Sequence, residues 1–340
     1  MDGDTSTQTH DYMLAFDVFN GDADGLIARH QYRLTNPVAN GLAMITGVKR
    51  DIELLKRINA SAEDEINVFD VSWDRNADAA LNLLKQGAKL RYFDHHRAGL
   101  LQPHPLLESH IDETPDVCTS FIVDRHLGGK WRLWAIAGTF GDNLQTRAHA
   151  LADQALLSPV QKMQLQELGE CLNYNAYGDT IEDLHFPPET LARRMTPFAN
   201  PFDFLENEDI VEHLAAGRTD DMAHASQVTA EHQNNVFALY TLPNTSWARR
   251  VSGAFANHLV HAYPQRAHAV VTPDRLGTAT VSIRAARDRL NGASDVAQRL
   301  GGGGRAAAAG INHMSITDVP KLAMAMEEVF GSGGDHTAIR

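Results

Sequence analysis

Leu90-Arg91-Tyr92-Phe93-Asp94-His95-His96 is an apolar run that ends in one carboxylate and two imidazoles. Two other apolar runs end in a similar way, since Met13 to Phe19 precedes an acidic cluster and Ile66 to Phe69 precedes Asp70. A short apolar segment with Asp or His at its end is typical of a buried parallel strand whose carboxyl end carries chemistry. Three such strand ends predict one shared site.

Amphipathic segments separate these runs along the first half of the chain. Leu54, Leu55 and Ile58 recur at helical spacing, and they predict a helix over residues 52–58. The same criteria predict helices over residues 26–34 and 77–84 and a strand over residues 43–48. This alternation predicts an α/β fold with a mostly parallel sheet covered by helices, in which ligands bind at the carboxyl ends of the strands.

The length of 340 residues exceeds that of a typical single domain and predicts two domains. Residues 158–229 are helical and polar in pattern, so the boundary is placed near residue 230. A second, smaller α/β unit is predicted beyond it, with strands over residues 236–242, 268–271 and 278–283 and helices over 250–261, 294–300 and 320–330. The predicted organisation, in chain order, is a disordered N-terminus over 1–11, a first domain over 12–195, a linker over 196–229 and a second domain over 230–335.

The composition limits the class of protein. Hydrophobic residues make up 43% of the chain, and no apolar run is long enough to span a membrane. The formal net charge of -13 argues against a protein that coats long nucleic acid through a basic face. Residues 1–11 lack the pattern of a secretory signal, which predicts a cytoplasmic protein. Cys118 and Cys171 have no close-spaced partner, so neither a disulfide framework nor a thiolate zinc site is predicted.

Acidic residues at the strand ends need a counter-charge. Asp22, Asp24, Asp70 and Asp94 cannot all stay ionised at close range, because like charges raise one another's pKa. A divalent metal is the simplest remedy, and carboxylate oxygens with one or two imidazoles suit Mn²⁺ or Mg²⁺. Two such ions about 3.5 to 4 Å apart can generate hydroxide from a bridging water and neutralise a phosphoryl group. The pattern therefore predicts metal-assisted hydrolysis of a phosphoester or a phosphoanhydride.

Four motifs in this order resemble those of the DHH phosphoesterase superfamily. They are Asn20-Gly21-Asp22-Ala23-Asp24-Gly25, Asp70 in Val68-Phe69-Asp70-Val71-Ser72, the triplet Asp94-His95-His96, and Asp142 in Gly138-Thr139-Phe140-Gly141-Asp142-Asn143. Each motif alone is weak evidence. Together, in order and at plausible separations, they are specific for the family.

The resemblance implies a role for each motif residue. The residues that would hold metal are Asp22 for one ion, Asp24, His95 and Asp142 for the other, and Asp70 as the bridge between the two. The implied cofactor is a pair of Mn²⁺ ions, with Mg²⁺ as the alternative, since both accept this ligand set. Asp94 and His96 are the implied catalytic residues: Asp94 would orient an imidazole, and His96 would contact phosphate or donate a proton.

One position departs from the family pattern. Many members have a His four residues before the first Asp of the opening motif, and Val18 stands there in this chain. Asn20 could supply a carboxamide oxygen to the metal instead, since some RecJ-like members use an acidic residue at that position. The first metal is therefore expected to bind more weakly, or to be a different ion.

The run Gly301-Gly302-Gly303-Gly304-Arg305 and the tripeptide Ser282-Ile283-Arg284 resemble the DHH-associated C-terminal domain of nanoRNases and RecJ-like exonucleases. Successive glycines let backbone N–H groups approach a phosphate or a base, and the small residues after them can start a helix whose positive end favours an anion. Arg305 stands where the family has a His, so it keeps an anion-binding donor and loses proton transfer. The implied substrate-binding residues are Ser282, Arg284, Gly302, Gly303, Gly304 and Arg305.

These features imply a phosphodiesterase, similar to exonucleases and nanoRNases, that hydrolyses short oligonucleotides or small nucleotides to mononucleotides. A hydroxide activated by two metal ions would attack in a cleft between the two domains. Two alternatives stay open: a phosphoanhydride hydrolase acting on pyrophosphate or polyphosphate, and a degenerate nucleotide-binding protein, which Val18 and Arg305 would favour. Neither a membrane nor a long duplex is an expected partner, and a homodimer is left open.

Overall fold

The computed structural model describes residues 14–38 and 41–331, which form two compact units. The first unit contains the described residues up to Ala176 together with Phe186–Val211. The second unit contains Tyr177–His185 together with the described residues from Glu212 onward. The chain therefore passes from one unit to the other more than once. The disordered N-terminus predicted over residues 1–11 lies outside the described residues.

A parallel sheet forms the centre of the first unit. Its strands are β1 Ala15–Phe19, β2 Leu42–Ile45, β3 Glu65–Phe69, β4 Lys89–Asp94 and β5 Leu107–Ile111. They lie in the order β2-β1-β3-β4-β5, and each neighbouring pair is parallel. The carboxyl ends of the strands therefore share one edge of the sheet. The predicted α/β fold class is confirmed.

Helices complete the first unit. They are α1 Ala23–Thr35, α2 Trp73–Lys85, α3 Thr119–His126, α4 Arg132–Gly141, α5 Gln145–Gln154, α6 Pro159–Asn175, α7 Pro188–Met195 and α8 Pro201–Asn207. The helix predicted over residues 52–58 is instead a single 3-10 turn, Leu54–Arg57. The side chain of Asn76 explains the difference, because its Oδ1 accepts from Leu55 N at 3.2 Å and its Nδ2 donates to Ile52 O at 2.6 Å. In a longer helix the carbonyl of Ile52 would instead accept from the N–H four residues later.

An apolar core of the first unit includes both strand and helix residues. Phe16 and Val18 of β1 pack there with Val68 of β3 and with Leu83 and Leu84 of α2. Val18 is fully buried, and burying such a side chain contributes about 1.5–3 kcal/mol. The position where many family members have a His is therefore part of the core in this chain.

A mixed sheet forms the centre of the second unit. Its strands are β6 His232–Gln233, β7 Phe237–Thr241, β8 Ala267–Pro273, β9 Thr278–Arg284, β10 Gly303–Arg305 and β11 Ala308–Ser315, in the order β10-β11-β9-β8-β7-β6. The helices that follow the first unit are α9 Ile210–Ser226, α10 Ser246–Ala262, α11 Ala293–Arg299 and α12 Val319–Met326. Ile283 of β9, Val296 of α11 and Leu322 of α12 share one apolar core. Across residues 14–38 and 41–331, no helix is both long enough and apolar enough to cross a membrane.

The residues predicted as a linker, 196–229, are mostly helical in the structure. They contain α8 and α9. Phe204 of α8 is fully buried, and its ring centroid lies 5.8 Å from that of Trp134. Because α8 packs into the first unit, the division between the units falls after Val211, before the boundary expected near residue 230.

Asp183 holds the segment Tyr177–His185 in the second unit. Its fully buried carboxylate accepts from Nε and Nη2 of Arg249, each at 2.8 Å, and from Ser246 Oγ at 2.7 Å. Nη2 of Arg275 adds a contact at 3.1 Å. A bidentate pair between Arg and a carboxylate is among the stronger polar contacts in proteins, so this pair fixes the position of the segment.

Candidate metal centre

The parallel strands bring acidic and histidine side chains to one edge of the first sheet. Asp22 follows β1, Asp70 follows β3, and β4 ends at Asp94 directly before the two histidines. The three strands are neighbours with matched registers, so their ends lie side by side. A pocket of about 350 Å³ opens there, and its lining includes both histidines and Asp142, which follows α4.

Asp22 is the N-cap of α1 and also contacts a lysine. Its Oδ1 accepts from the backbone N–H groups of Asp24 and Gly25, each at 3.1 Å. Its Oδ2 lies 2.5 Å from Nζ of Lys49, which also donates to Oδ1 of Asn173 at 3.0 Å. Both carboxylate oxygens of Asp22 therefore have hydrogen-bond donors within the protein.

Asn20 shapes the turn between β1 and α1. Its Oδ1 accepts from the backbone N–H of Asp22 at 3.1 Å, and its Nδ2 donates to the carbonyl of Lys49 at 3.3 Å. The side chain expected as an additional metal ligand thus links the turn after β1 to the segment after β2. Its carboxamide oxygen already stabilises the backbone of the Asp22 turn.

Asp24 is buried beneath the pocket against the first turn of α3. Its two oxygens accept from the backbone N–H groups of Thr119 and Ser120, each at 2.7 Å. These are amide groups that a helix cannot pair internally, and the helix end favours a negative charge. Burial nevertheless raises the pKa of Asp24, and the charge of Asp70 raises it further.

Asp70 adopts a left-handed backbone conformation, with φ of 58°. Such a conformation is uncommon for a residue with a Cβ atom and is enriched at functional sites. Its N–H continues the pairing with β4 by donating to the carbonyl of Phe93 at 3.0 Å. Its Oδ1 accepts from Thr119 Oγ1 at 3.1 Å and lies 3.4 Å from Nε2 of His95. Contacts on both sides therefore position the carboxylate.

His95 is oriented by the protein backbone. Its Nδ1 donates to the carbonyl of Val117 at 2.9 Å, so Nε2 is directed toward Asp70 at 3.4 Å and Asp142 at 3.9 Å. A hydrogen bond to the second ring nitrogen is the usual arrangement for an imidazole that ligates metal. Burial opposes the charged ring, but the hydrogen bond and charge of Asp70, with the charges of Asp24 and Asp142, raise the pKa of His95 to about 11.

His96 is paired with Asp94 at the end of β4. Its Nδ1 donates to Oδ1 of Asp94 at 2.7 Å, and Asp94 itself is fully buried. Burial opposes the charged form of the ring, but the hydrogen bond to Asp94 and the charge of Asp70 raise the pKa of His96 to about 9. The imidazole is therefore protonated at neutral pH.

Two sets of side chains at this edge of the sheet place ligand atoms close enough to hold a metal ion. Asp24, His95 and Asp142 form one set, and Asp70, His95 and His96 form the other, with all ligand atoms of a set within 4.8 Å of one another. Burial, and next the charge of Asp24, raise the pKa of Asp142 to about 8, because crowded carboxylates repel one another. Oxygen and imidazole donors of this kind fit Mn²⁺ or Mg²⁺.

Sequence reasoning does not single out three residues that shape this site. Lys49 stands directly after the strand predicted over residues 43–48. The acidic residues were identified because they follow predicted strands, and the same criterion could have identified Lys49. Val117 acts through its carbonyl group, and Thr119 through its N–H and hydroxyl groups. No local pattern marks residues that act in this way.

The arginines predicted to bind substrate lie on one face of the second sheet. Arg305 of β10 pairs with Ala308 of β11, which pairs in turn with Arg284 of β9. Directly paired residues project from the same face, so the two guanidinium side chains flank a small residue, with Cα atoms about 10 Å apart. Nε of Arg284 donates to Asn257 Oδ1 at 2.7 Å. Burial lowers the pKa of Arg284, and the like charge of Arg305 also acts in that direction. Ser282 lies two residues earlier on β9.

The glycine run forms a strand and the start of a hairpin. Gly303–Arg305 is β10, which pairs antiparallel with β11. A Cβ atom at Gly302 would lie 2.3 Å from the carbonyl oxygen of Gly310, and one at Gly304 would lie 2.6 Å from Cα of Ala309. Gly303 has no atom within 4 Å of such a position. The expectation that small residues after the run start a helix is wrong, because they pair with β9 as part of β11.

Comparison with solved structures finds proteins of one fold. The DHH domain of a protein described as a member of a family of ribosomal proteins is 12% identical with a TM-score of 0.61, over 93% of this chain and 86% of that chain. The exonuclease RecJ bound to manganese is 18% identical with a TM-score of 0.56, over 94% and 91%. The pGpG-specific phosphodiesterase PggH from Vibrio cholerae is 15% identical with a TM-score of 0.53, over 94% and 100%.

No protein-family model and no curated protein sequence matches the chain. The structural likeness extends over nearly the whole chain. The chain therefore has the fold of these DHH-domain proteins. The fold expected from the four motifs is confirmed, both for the parallel-sheet domain and for the presence of a second α/β domain.

Proposed function

We propose that this chain is a divalent-metal-dependent phosphodiesterase that releases mononucleotides from short oligonucleotides or small nucleotides. The observation that carries the proposal is the convergence of Asp24, Asp70, His95 and Asp142 at one sheet edge, with ligand atoms within 4.8 Å in each set. RecJ is an exonuclease bound to manganese, and PggH is a pGpG-specific phosphodiesterase. The shared fold supports the same class of substrate here.

A divalent ion held by these carboxylates and by His95 would lower the pKa of a water molecule and offset charge on a phosphoryl oxygen. Mn²⁺ is the proposed ion, with Mg²⁺ as the alternative. The protein's own contribution is orientation, since the carbonyl of Val117 directs the ring of His95 and Thr119 positions Asp70.

His96 is the proposed proton donor to the leaving oxygen. Asp94 accepts the hydrogen bond from Nδ1–H of His96, so the other ring nitrogen stays available to a substrate. With a pKa of about 9, the ring is charged at neutral pH and can give up a proton as the bond to phosphorus breaks. Arg75 also lines the pocket, where its charge would attract a phosphate.

The second unit is proposed to bind the phosphate end of the substrate. Arg284 and Arg305 flank Ala308 on one sheet face, and paired guanidinium groups bind phosphate oxygens with defined geometry. The hairpin that contains Gly302 and Gly304 holds Arg305 in this row. The first unit would then supply hydrolysis and the second unit selection of the substrate.

Product analysis tests the proposal. Metal-stripped protein is incubated with and without Mn²⁺ against di- to pentanucleotides, 3'-phosphoadenosine 5'-phosphate, a cyclic dinucleotide and pyrophosphate. Mn²⁺-dependent release of mononucleotides is expected. Asp70→Asn should lose at least about 100-fold in activity, because it removes a ligand and the loss of a ligand's hydrogen-bond partner alone costs about 10–100-fold. Asp78→Asn is the matched control, since Asp78 is exposed on α2. Unchanged activity in Asp70→Asn would refute the proposed site.

The same panel separates the proposal from its alternatives. Turnover of pyrophosphate without any nucleotide product would indicate a phosphoanhydride hydrolase. Tight binding of a nucleotide with no turnover under Mn²⁺ or Mg²⁺ would indicate a binding protein. Either result would replace the proposed phosphodiesterase activity.

A further inference from the structure

A lysine ammonium lies against the first aspartate of the opening motif. Nζ of Lys49 is 2.5 Å from Oδ2 of Asp22. The Asp22 side chain is 4% exposed and that of Lys49 is 28% exposed. At this depth the attraction between the two charges is screened less than at a free surface. The resemblance to the family assigns Asp22 to a metal ion, so the two assignments compete for one carboxylate.

Several contacts hold Lys49 at this place. Its Nζ also donates to Oδ1 of Asn173 in α6 at 3.0 Å. Its backbone N–H donates to the carbonyl of Ala176 at 2.9 Å, and its carbonyl accepts from Nδ2 of Asn20 at 3.3 Å. Both ends of the residue are therefore bonded to neighbouring segments of the first unit. The position of the ammonium follows from this scaffold as well as from its attraction to Asp22.

Asp22 is also poorly placed to share in the clusters that fit a metal ion. It belongs to none of the three sets of close ligand atoms found in the described residues, although Asp24 two positions later belongs to one. Its Oδ1 caps α1, and its Oδ2 accepts from Lys49. Val18, where many family members have a His, is buried in the apolar core. The ion that the resemblance places on Asp22 therefore lacks the imidazole that a His at position 18 would supply. Both oxygens of its carboxylate already accept hydrogen bonds.

From these contacts we infer that the ammonium of Lys49 takes the place of one of the two cations, so that the site binds a single divalent ion per chain. The inference rests on the proposed function, because it concerns the same site. An ammonium is a point charge that can contact phosphate oxygens but does not coordinate water as a divalent ion does. The substrate would then bind between one exchangeable ion and one permanent cation, and saturation with Mn²⁺ would be non-cooperative.

The test is the number of Mn²⁺ ions per chain, measured without substrate. Metal-stripped protein is dialysed to equilibrium against Mn²⁺ and analysed by elemental mass spectrometry. The variant is Lys49→Gln, whose carboxamide can still contact Asp22 and Asn173. The matched control is Lys56→Gln, which removes an exposed lysine paired with Glu53. We expect one ion in the native protein and in the control, and two ions in Lys49→Gln.

Electron paramagnetic resonance gives a second readout that needs no variant. A single Mn²⁺ gives an uncoupled six-line spectrum, whereas two ions about 3.5 to 4 Å apart are exchange-coupled. Two ions or a coupled spectrum in the native protein would overturn the inference and leave the proposed function standing. One ion in both the native protein and Lys49→Gln would also overturn it, because Lys49 would then not be what excludes the second ion. No bound ion at all would overturn both.

Discussion

Asp183→Asn probes how the second unit holds the segment Tyr177–His185. Asparagine has the shape of aspartate, so the substitution removes one charge without creating a cavity. The native carboxylate is fully buried and receives two bonds from Arg249 and one from Ser246. In the variant, an amide N–H₂ group replaces one acceptor and faces a guanidinium that is 5% exposed.

The cost follows from removing the main counter-charge of a buried guanidinium, whose other acidic neighbour, Asp179, lies 3.6 Å from its Nε. Breaking a buried ion pair by changing one partner costs about 3–5 kcal/mol. With a urea dependence of about 2 kcal/mol per molar, the unfolding midpoint of the second unit should fall by about 2 M. Burial opposes the charge on Asp183, but the bonds from Arg249 and Ser246 hold its pKa well below the usual range. A carboxyl group with a lowered pKa stabilises the fold above pH about 4, and this stability is lost as the pH falls further.

Hydrogen exchange measured at rising urea concentrations follows the two units separately. Peptides from α10 report on the second unit, and peptides from α4 report on the first. The control is Asp288→Asn, because Asp288 is an exposed aspartate of the second unit. A midpoint shift in Asp183→Asn no larger than that of the control would refute the reasoning, as would an equal loss of protection in both units.

Three further predictions concern the two candidate sites. Mn²⁺ should bind the metal-stripped protein more tightly as pH rises, because the ion displaces protons from His95 and Asp142, with pKa values of about 11 and 8. Below pH 8 two protons are displaced, so Kd should fall about 100-fold per pH unit; above pH 8 one proton is displaced, and Kd should fall about tenfold per unit. Calorimetry in buffers of different ionisation enthalpy counts these protons, and a pH-independent Kd would contradict the assignment. Asp24→Asn should destabilise the metal-free protein by about 1–3 kcal/mol, since an amide can accept only one of the two N–H bonds from α3. Asp142→Asn should not destabilise it, because asparagine resembles the protonated native group. Equal thermal denaturation midpoints of the two variants would argue against this difference. Arg284→Lys should raise KM for a dinucleotide with a terminal phosphate about tenfold with kcat unchanged, because bidentate contact is lost, and a similar rise in the exposed control Arg287→Lys would count against a binding role.

The central strands and the acidic edge of the first sheet could be predicted from local pattern. A short apolar run that ends in Asp is sufficient to place β1, β3 and β4, because neighbouring residues in the sequence determine both the burial of the strand and the point where it ends. Strand β5 has no such pattern, since Leu107–Ile111 is an edge strand with partly exposed residues. Its place depends on pairing with β4, which a local pattern does not encode.

The contacts that complete the site come from distant parts of the chain. Lys49 reaches Asp22 and Asn173, and the N–H groups at the start of α3 reach Asp24 across more than ninety positions. The short turn in place of the helix predicted over 52–58 has the same origin, because the side chain of Asn76 captures its backbone groups. Such hydrogen bonds between a side chain and a distant backbone group produce no periodic pattern in the sequence.

The alternation of the chain between its two units has a consequence for synthesis on the ribosome. Trp134 and His30 of the first unit donate to the carbonyl groups of Ala199 and Phe198, so the first unit lacks these partners until the segment after α7 has emerged. Residues 177–185 emerge earlier, but Arg249, the partner of Asp183, is made some sixty residues later. Domains generally fold as units during synthesis. Here the first unit is complete only after Phe186–Val211 has been made, and this segment follows Tyr177–His185 of the second unit. A chain cut near residue 230 would leave Asp183 without its arginine. Separate expression of either unit requires joining two pieces of the sequence.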